Sequence, residues 1–223
     1  RLAVLAEDGD RRVVDRDRAA AARRLRFSDR HLAADLRDRL EHSEPTVVEK
    51  GDEILVGRKA TGTLVIDNLE DGRNLYLIGT GTGLAPFLSV IKDPETYERF
   101  EKVVLLHGCR RVKELAYGEM ITERLPNDEL IGEYIRNQLI YYPTVTRDPF
   151  RNRGRITDLI NSGKLFGDIG LASLDPAHDR VMICGSPHML ADCSTLLDAR
   201  GFSISPHTGV AGDYVIERAF VER

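Results

Sequence analysis

Three glycines alternate with two threonines in Gly79-Thr80-Gly81-Thr82-Gly83, between the apolar run Leu75 to Ile78 and Pro86. Residues of these types in this order can hold an anion. A strand, a glycine turn and a helix start bring unpaired backbone N–H groups to one point. Without a Cβ, the glycines let a diphosphate come close to the backbone. Thr80 and Thr82 add hydroxyl donors. Pro86 suits a first helical turn, where its missing N–H is not needed. The turn is not a P-loop, since no Gly-Lys-Ser/Thr follows it. It also departs from the usual dinucleotide fingerprint, whose third glycine would fall at position 84. The plainer alternative is a strand-to-helix turn in an α/β domain with no ligand.

Other candidates follow other apolar runs. Arg110 and Arg111 come after Lys102 to Gly108, where a domain built for NAD would carry Asp or Glu for the ribose. Thr144-Val145-Thr146-Arg147, then Arg151, Arg153 and Arg155, come after Leu139 to Pro143. The planar fork of arginine donates paired hydrogen bonds to phosphate. Taken singly, each of these arginines reads as a solvated loop residue; their clustering beyond one strand favours a phosphate site. Cys184-Gly185-Ser186-Pro187 is a second small-residue turn opening a helix, although a strand-end cysteine also reads as an inert buried thiol. Phe220, three residues from the C-terminus, suits either packing or a flat ring.

Alternating strands and helices must position these residues. Strands are expected at 75–78, 102–108, 139–143, 180–185 and 213–217, and helices at 113–125, 156–162 and 187–200. That alternation predicts a doubly wound parallel sheet over 73–223, with ligands at the C-terminal ends of the strands. Before it, Glu53 to Gly57 and Thr63 to Ile66 read as strands of an antiparallel unit, and Asp67 to Gly72 as a polar linker. Residues 1–45 differ in texture: the first forty hold eleven arginines and no lysine. They read as an exposed helical arm, with a helix near Asp29 to His42, or as disorder.

Composition narrows the function. A formal charge of -4 gives no support to nucleic-acid binding. Three cysteines without a CxxC pair or signal peptide suggest a reducing, cytoplasmic setting. The six histidines show no metal-ligand spacing, and no apolar run approaches the 18 residues of a membrane span.

Several stretches together carry a resemblance. They are Gly79 to Phe87, His107-Gly108-Cys109-Arg110, Tyr141-Tyr142-Pro143 through Thr146-Arg147, Gly154 to Asp158, Cys184 to Pro187, and Tyr214 to Phe220. From about Glu49 onward the chain resembles bacterial ferredoxin–NADP reductase, in the subclass with a short extension beyond a C-terminal aromatic. The resemblance implies NADP and FAD as cofactors. It assigns the diphosphate to Gly79, Thr80, Gly81, Thr82 and Gly83, and the adenosine 2′-phosphate to Thr146, Arg147 and Arg155. Cys184, Gly185 and Ser186 would border the nicotinamide, Phe220 would cover the flavin, and Glu217 would manage charge or protons nearby. The implied activity is hydride transfer between NADPH and FAD, with single-electron exchange to ferredoxin or flavodoxin, by a monomer. A non-catalytic NADP-binding remnant and another NADPH-dependent flavin reductase are the alternatives.

The family's flavin barrel departs from this sequence. Its Arg-x-Tyr-Ser motif is missing, and Arg26-Phe27-Ser28 lacks the spacing. The expected organisation is therefore an incomplete FAD-type domain, a partial antiparallel β-barrel over 1–72 with 1–45 unassigned and the last barrel strands in 46–72, followed by the NADP-binding domain at 73–223. FAD is expected to bind this polypeptide weakly or not at all.

Overall fold

Short apolar or β-branched segments, Leu2-Ala3-Val4-Leu5 and Arg11-Arg12-Val13-Val14, stand on either side of Gly9 in the sequence. The structure, a computed structural model, describes Leu2–Leu5, Arg11–Val14, Ala22–Arg26, Glu53–Gly57 and residues 64–218. The chain divides into two compact units, Arg1–Thr61 and Gly62–Arg223. In the first, β1 (Leu2–Leu5) pairs antiparallel with β2 (Arg11–Val14), placing Leu2 opposite Val14. There too β3 (Ala22–Arg26) pairs antiparallel with β4 (Glu53–Gly57), Leu25 opposite Ile54. The strand expected at Glu53–Gly57 is present. Strands β1, β2 and β3 correct the reading of this region as a helical arm or disorder. Arginine frequency had obscured segments whose valines and leucines favour strands. The helix expected near 29–42 lies outside the described residues.

The second unit is built on one five-stranded parallel sheet. Its strands are β5 (Asn74–Thr80), β6 (Lys102–Cys109), β7 (Leu139–Val145), β8 (Asp179–Gly185) and β9 (Tyr214–Arg218), in the spatial order β7-β6-β5-β8-β9. Leu75, Leu77, Val103 to Leu106 and Val181 to Ile183 are all fully buried, as expected of central parallel strands covered on both faces. The chain runs outward from β5 through β6 to β7, then crosses back to β8 and β9. That reversal makes a switch point between β5 and β8, the place beyond the C-terminal strand ends where sheets of this kind hold ligands.

Six helices connect the strands: α1 (Ala85–Val90), α2 (Pro94–Arg99), α3 (Gly132–Gln138), α4 (Ile156–Asn161), α5 (Lys164–Ile169) and α6 (Pro187–Asp198). One layer of the core joins Tyr76, Ile78, Val104 and Leu106 of the sheet to Ile156, Leu159, Phe166, Leu190 and Leu197 of the helices. Gly163, with φ 75°, ends α4 and starts α5 in the left-handed conformation that the sequence assigned to a helix stop.

Three expectations need correction. Leu64 to Ile66 is not a strand: a 3₁₀ turn spans Ile66–Asn68. The carbonyls of Ile66 and Leu69 accept from the Arg99 guanidinium rather than from a neighbouring strand, and the Asn68 side chain accepts from Gly209 N–H at 2.8 Å. Asp67 to Gly72 is not a loose linker, because Arg180 also gathers the carbonyls of Glu70 and Asp71. The helix expected over 113–125 is broken. A 3₁₀ turn covers Val112–Glu114, Tyr117 takes φ 62°, and a wide π turn covers Met120–Arg124. The Glu114 carboxylate caps the N–H groups of Arg110 and Arg111 at 3.0 and 3.3 Å, which holds the first turn apart from the rest.

Candidate functional site

The sheet register brings the candidates into line. One row across the strands reads Pro143, His107, Gly79, Cys184, Glu217, and the next reads Thr144, Gly108, Thr80. The glycine turn therefore leaves β5 flanked by His107 on one side and Cys184 on the other.

Gly81 to Leu84 forms a 3₁₀ turn that runs directly into α1. With only six residues in α1, an anion held at this turn would depend more on the amides of the turn than on a long helix dipole. Two of its glycines are required for different reasons. Gly81 has φ +53°, and a Cβ built there would meet nothing within 4 Å, so this position needs the left-handed conformation and faces open space. Gly83 is a packing glycine: its Cβ would lie 2.1 Å from the Cys184 carbonyl oxygen. The turn is thus pressed against the end of β8, and the two small-residue turns of the sequence form one surface. Gly185 continues it. A Cβ at Gly185 would come within 2.5 Å of both Thr80 Oγ1 and Met189 Cε.

Cys184 is 3% exposed, and its register partner is Glu217 on β9. Ser186 caps α6 by accepting from Met189 N–H at 3.4 Å. Phe220 and the residues after it lie outside the described residues, so the structure brings Cys184, Gly185, Ser186 and Glu217 together without placing the aromatic.

The arginines sort into two groups. Arg110 pairs with Glu114 at 3.7 Å and Arg111 with Asp148 at 3.5 Å. Asp148 also accepts from Val112 N–H at 2.9 Å, tying the β7 loop to the β6 loop. Thr146, Arg147 and Arg155 are exposed. Among the described residues no carboxylate lies within 4 Å of Arg147, Arg153 or Arg155. Their loop is rigidly closed at its base. The Thr144 hydroxyl lies 2.7 Å from the Asn152 carbonyl and 2.9 Å from that of Gly154, and Asn152 donates back to the Pro143 carbonyl at 3.1 Å. Thr146 N–H and Arg147 N–H bond to the carbonyls of Cys109 and Arg110, extending the β6–β7 pairing into the loop.

A buried polar relay lies beneath the glycine turn, and the sequence reading gave its members no joint role. Tyr141 Oη is 3.0 Å from His107 Nδ1, and His107 Nε2 is 3.3 Å from Cys109 Sγ. Burial pushes the His107 pKa down to about 4 and the Cys109 thiol up to about 11. The available signal was period-two spacing on a strand, which puts positions 107 and 109 on one face.

The model of an oxidoreductase NAD-binding domain matches residues 77–195. The chain is 60% identical over 188 residues to the ferredoxin–NADP reductase of Pseudomonas aeruginosa, covering 84% of this chain and 71% of that protein. It is 57% identical over 197 residues to the Azotobacter vinelandii ferredoxin–NADP reductase, covering 88% and 74%. The chain belongs to the ferredoxin–NADP reductase family. Its fold is shared by a solved ferredoxin–NADP⁺ reductase of Neisseria gonorrhoeae with bound FAD and NADP, at TM-score 0.66 and 28% identity over 78% of this chain and 67% of that one. The recognition made from the glycine turn, the arginine loop and the Cys184 turn is thereby confirmed, and with it the doubly wound α/β fold. As a member of the reductase family the chain is an oxidoreductase.

Proposed function

We propose that the chain binds NADP along the top of the sheet and works as a ferredoxin–NADP reductase, with Gly79, Thr80, Gly81, Thr82 and Gly83 at the diphosphate. Thr146, Arg147 and Arg155 take the adenosine 2′-phosphate, and Cys184, Gly185 and Ser186 border the nicotinamide. Strand order supports this arrangement. Neighbouring strands lie about 4.8 Å apart, so the arginine loop after β7 is roughly 10 Å to one side of the glycine turn and Cys184 about 5 Å to the other. The groups of an extended dinucleotide follow one another in that order. The observation that carries the reading is the set of exposed arginines with no carboxylate partner among the described residues, beside a turn whose Gly81 faces open space.

FAD, when bound, exchanges a hydride with the nicotinamide and single electrons with the protein partner. What the described residues offer it is the end of β8 and β9. Gly185 lets Thr80 and Met189 close against the end of β8, while Glu217 stands beside Cys184 to accept or hold a proton. Phe220 is assigned to the flavin face by position in the sequence alone. Electron exchange with ferredoxin, or with flavodoxin as a second acceptor, completes the function. Among the described residues no helix is long and apolar enough to cross a membrane. We place the chain in the cytoplasm as a monomer, with an FAD-type domain at 1–72 and the NADP-binding domain at 73–223.

The test is cofactor choice in Arg147→Ala. A hydrogen bond to a charged group contributes about 1.5–3 kcal/mol, so NADP should bind about tenfold or more weakly, while NAD changes little. Equal losses for NADP and NAD would refute the assignment.

A further inference from the structure

Asp148 follows directly on Arg147, yet its carboxylate is turned to another strand. Its Oδ2 accepts from Val112 N–H at 2.9 Å, and its Oδ1 lies 3.5 Å from Arg111 Nη1. Both partners belong to the β6 exit. The backbone just before Asp148 is held from the same side. Arg147 N–H bonds to the Arg110 carbonyl at 2.8 Å, and Thr146 N–H to that of Cys109 at 3.2 Å. Arg147 thus stands between two anchors, one through its own amide and one through the next side chain. Pro149 strengthens the second, because a residue before proline is kept out of the helical region. Bonds from Val145 to Asn152 and Gly154 close the base of the loop; Asp148 is the side chain that ties down the end bearing Arg147.

We propose that Asp148 is a positioning residue for the choice of NADP over NAD, fixing from the β6 side the backbone that aims Arg147 at the 2′-phosphate. The inference rests on the reading that Arg147 takes that phosphate. Charge and position make opposite predictions here. A carboxylate one residue from a phosphate-binding arginine repels the ligand through space, so its removal tightens NADP binding if charge decides. If position decides, its removal loosens Arg147, which must then be ordered as the ligand binds, and NADP binding weakens. Position should decide, because Arg111 at 3.5 Å already offsets the charge.

Calorimetric titration of residues 1–223 with NADP and with NAD separates the two. Asp148→Ala should weaken NADP about three- to tenfold and leave NAD unchanged. Asp148→Asn keeps an oxygen for Val112 N–H without the charge, and should bind NADP at least as well as the wild type. Val112→Pro removes the donor and keeps the carboxylate. Val112 opens a 3₁₀ turn after an extended Arg111, with φ -129° and ψ 154°, a backbone that accepts proline. This variant should repeat the alanine loss, and it carries the test if Asp148→Ala does not fold. In an Arg147→Ala background, Asp148→Ala should cause no further loss. Unchanged or tighter NADP binding in Asp148→Ala, or an equal loss for NADP and NAD, overturns the positioning role while leaving the site reading intact. An Arg147→Ala protein that keeps its preference for NADP overturns the site reading, and the proposal with it.

Discussion

Gly83→Ala is the sharpest test of how the two small-residue turns are joined. The added methyl would stand 2.1 Å from the Cys184 carbonyl oxygen and 2.6 Å from its carbon, where ordinary contact begins at 3.4 Å. Both neighbours are backbone, so no side chain can swing away, and the turn and the end of β8 must part by over an ångström. Overpacking of this kind destabilises by about 1–3 kcal/mol. For a chain of this size each kcal/mol lowers Tm by about 2–4 °C, so a fall of roughly 2–12 °C is expected. Binding should suffer more, because the shift separates the turn proposed for the diphosphate from the edge proposed for the nicotinamide. A displacement of about 1 Å can lower rates on the order of a hundredfold. Gly81→Val is the contrast. Its side chain would project into open space at φ +53°, with strain of about 1–2 kcal/mol from the left-handed conformation and a branched group where the proposed diphosphate would lie. Thermal unfolding and NADP titration of both variants decide the matter. Gly83→Ala should lose stability and binding together, and Gly81→Val mainly binding. A Gly83→Ala protein with wild-type Tm and NADP affinity would show that the turn does not press on β8.

Two further measurements concern the buried histidine and the flavin. Because the folded pKa of His107 is about 4 against an ordinary 6.5, the unfolded chain takes up this proton first as pH falls. The stability associated with neutral His107 is therefore full above pH 6.5 and is lost between 6.5 and 4, a change on the order of 3 kcal/mol. The difference in Tm between wild type and His107→Gln should shrink across that window, and a constant difference would refute the burial of a neutral ring. The second measurement is the visible spectrum of purified residues 1–223. With no Arg-x-Tyr-Ser motif anywhere in the chain, flavin well below one equivalent is expected; a stoichiometric flavin spectrum would show that other residues make the site.

The NADP-binding half was legible because its signals are local. Continuous apolar runs gave all five parallel strands, and glycine followed by proline gave the start of α1. What escaped the sequence depends on distant partners. Leu64 to Ile66 has a strand's composition, yet Arg99, thirty-three positions after Ile66, takes the Ile66 carbonyl at 2.6 Å and favours a turn. The segment 113–125 has helical spacing, but Glu114 turns its carboxylate back to the β6 exit instead of out to solvent. The short helices α2, α3 and α5 carry too few turns for periodicity to show. The arginines after β6 and after β7 were both visible in the sequence, but not their division into those with and those without carboxylate partners among the described residues, since Arg110 and Arg147 look alike until their neighbours are known.

That division has an energetic logic. Arg110 and Arg111 are bound to carboxylates in exposed pairs, and pairs of this kind contribute only about 0–1 kcal/mol to stability. Their value lies elsewhere. Glu114 and Asp148 neutralise the two arginines nearest the β6 exit and, through their hydrogen bonds to backbone N–H groups, fix the loop that bears Arg147. A phosphate approaching Arg110 would have to displace Glu114 and then face its negative charge. A phosphate approaching Arg147 or Arg155 displaces no carboxylate among the described residues. The β6 exit is therefore charge-compensated, whereas the β7 loop beside it presents arginines with no such compensation among the described residues. On the proposed reading, a 2′-phosphate is drawn to Arg147 and Arg155 more strongly than the number of arginines alone would do, and an NAD ribose, which carries no such charge, gains nothing from it.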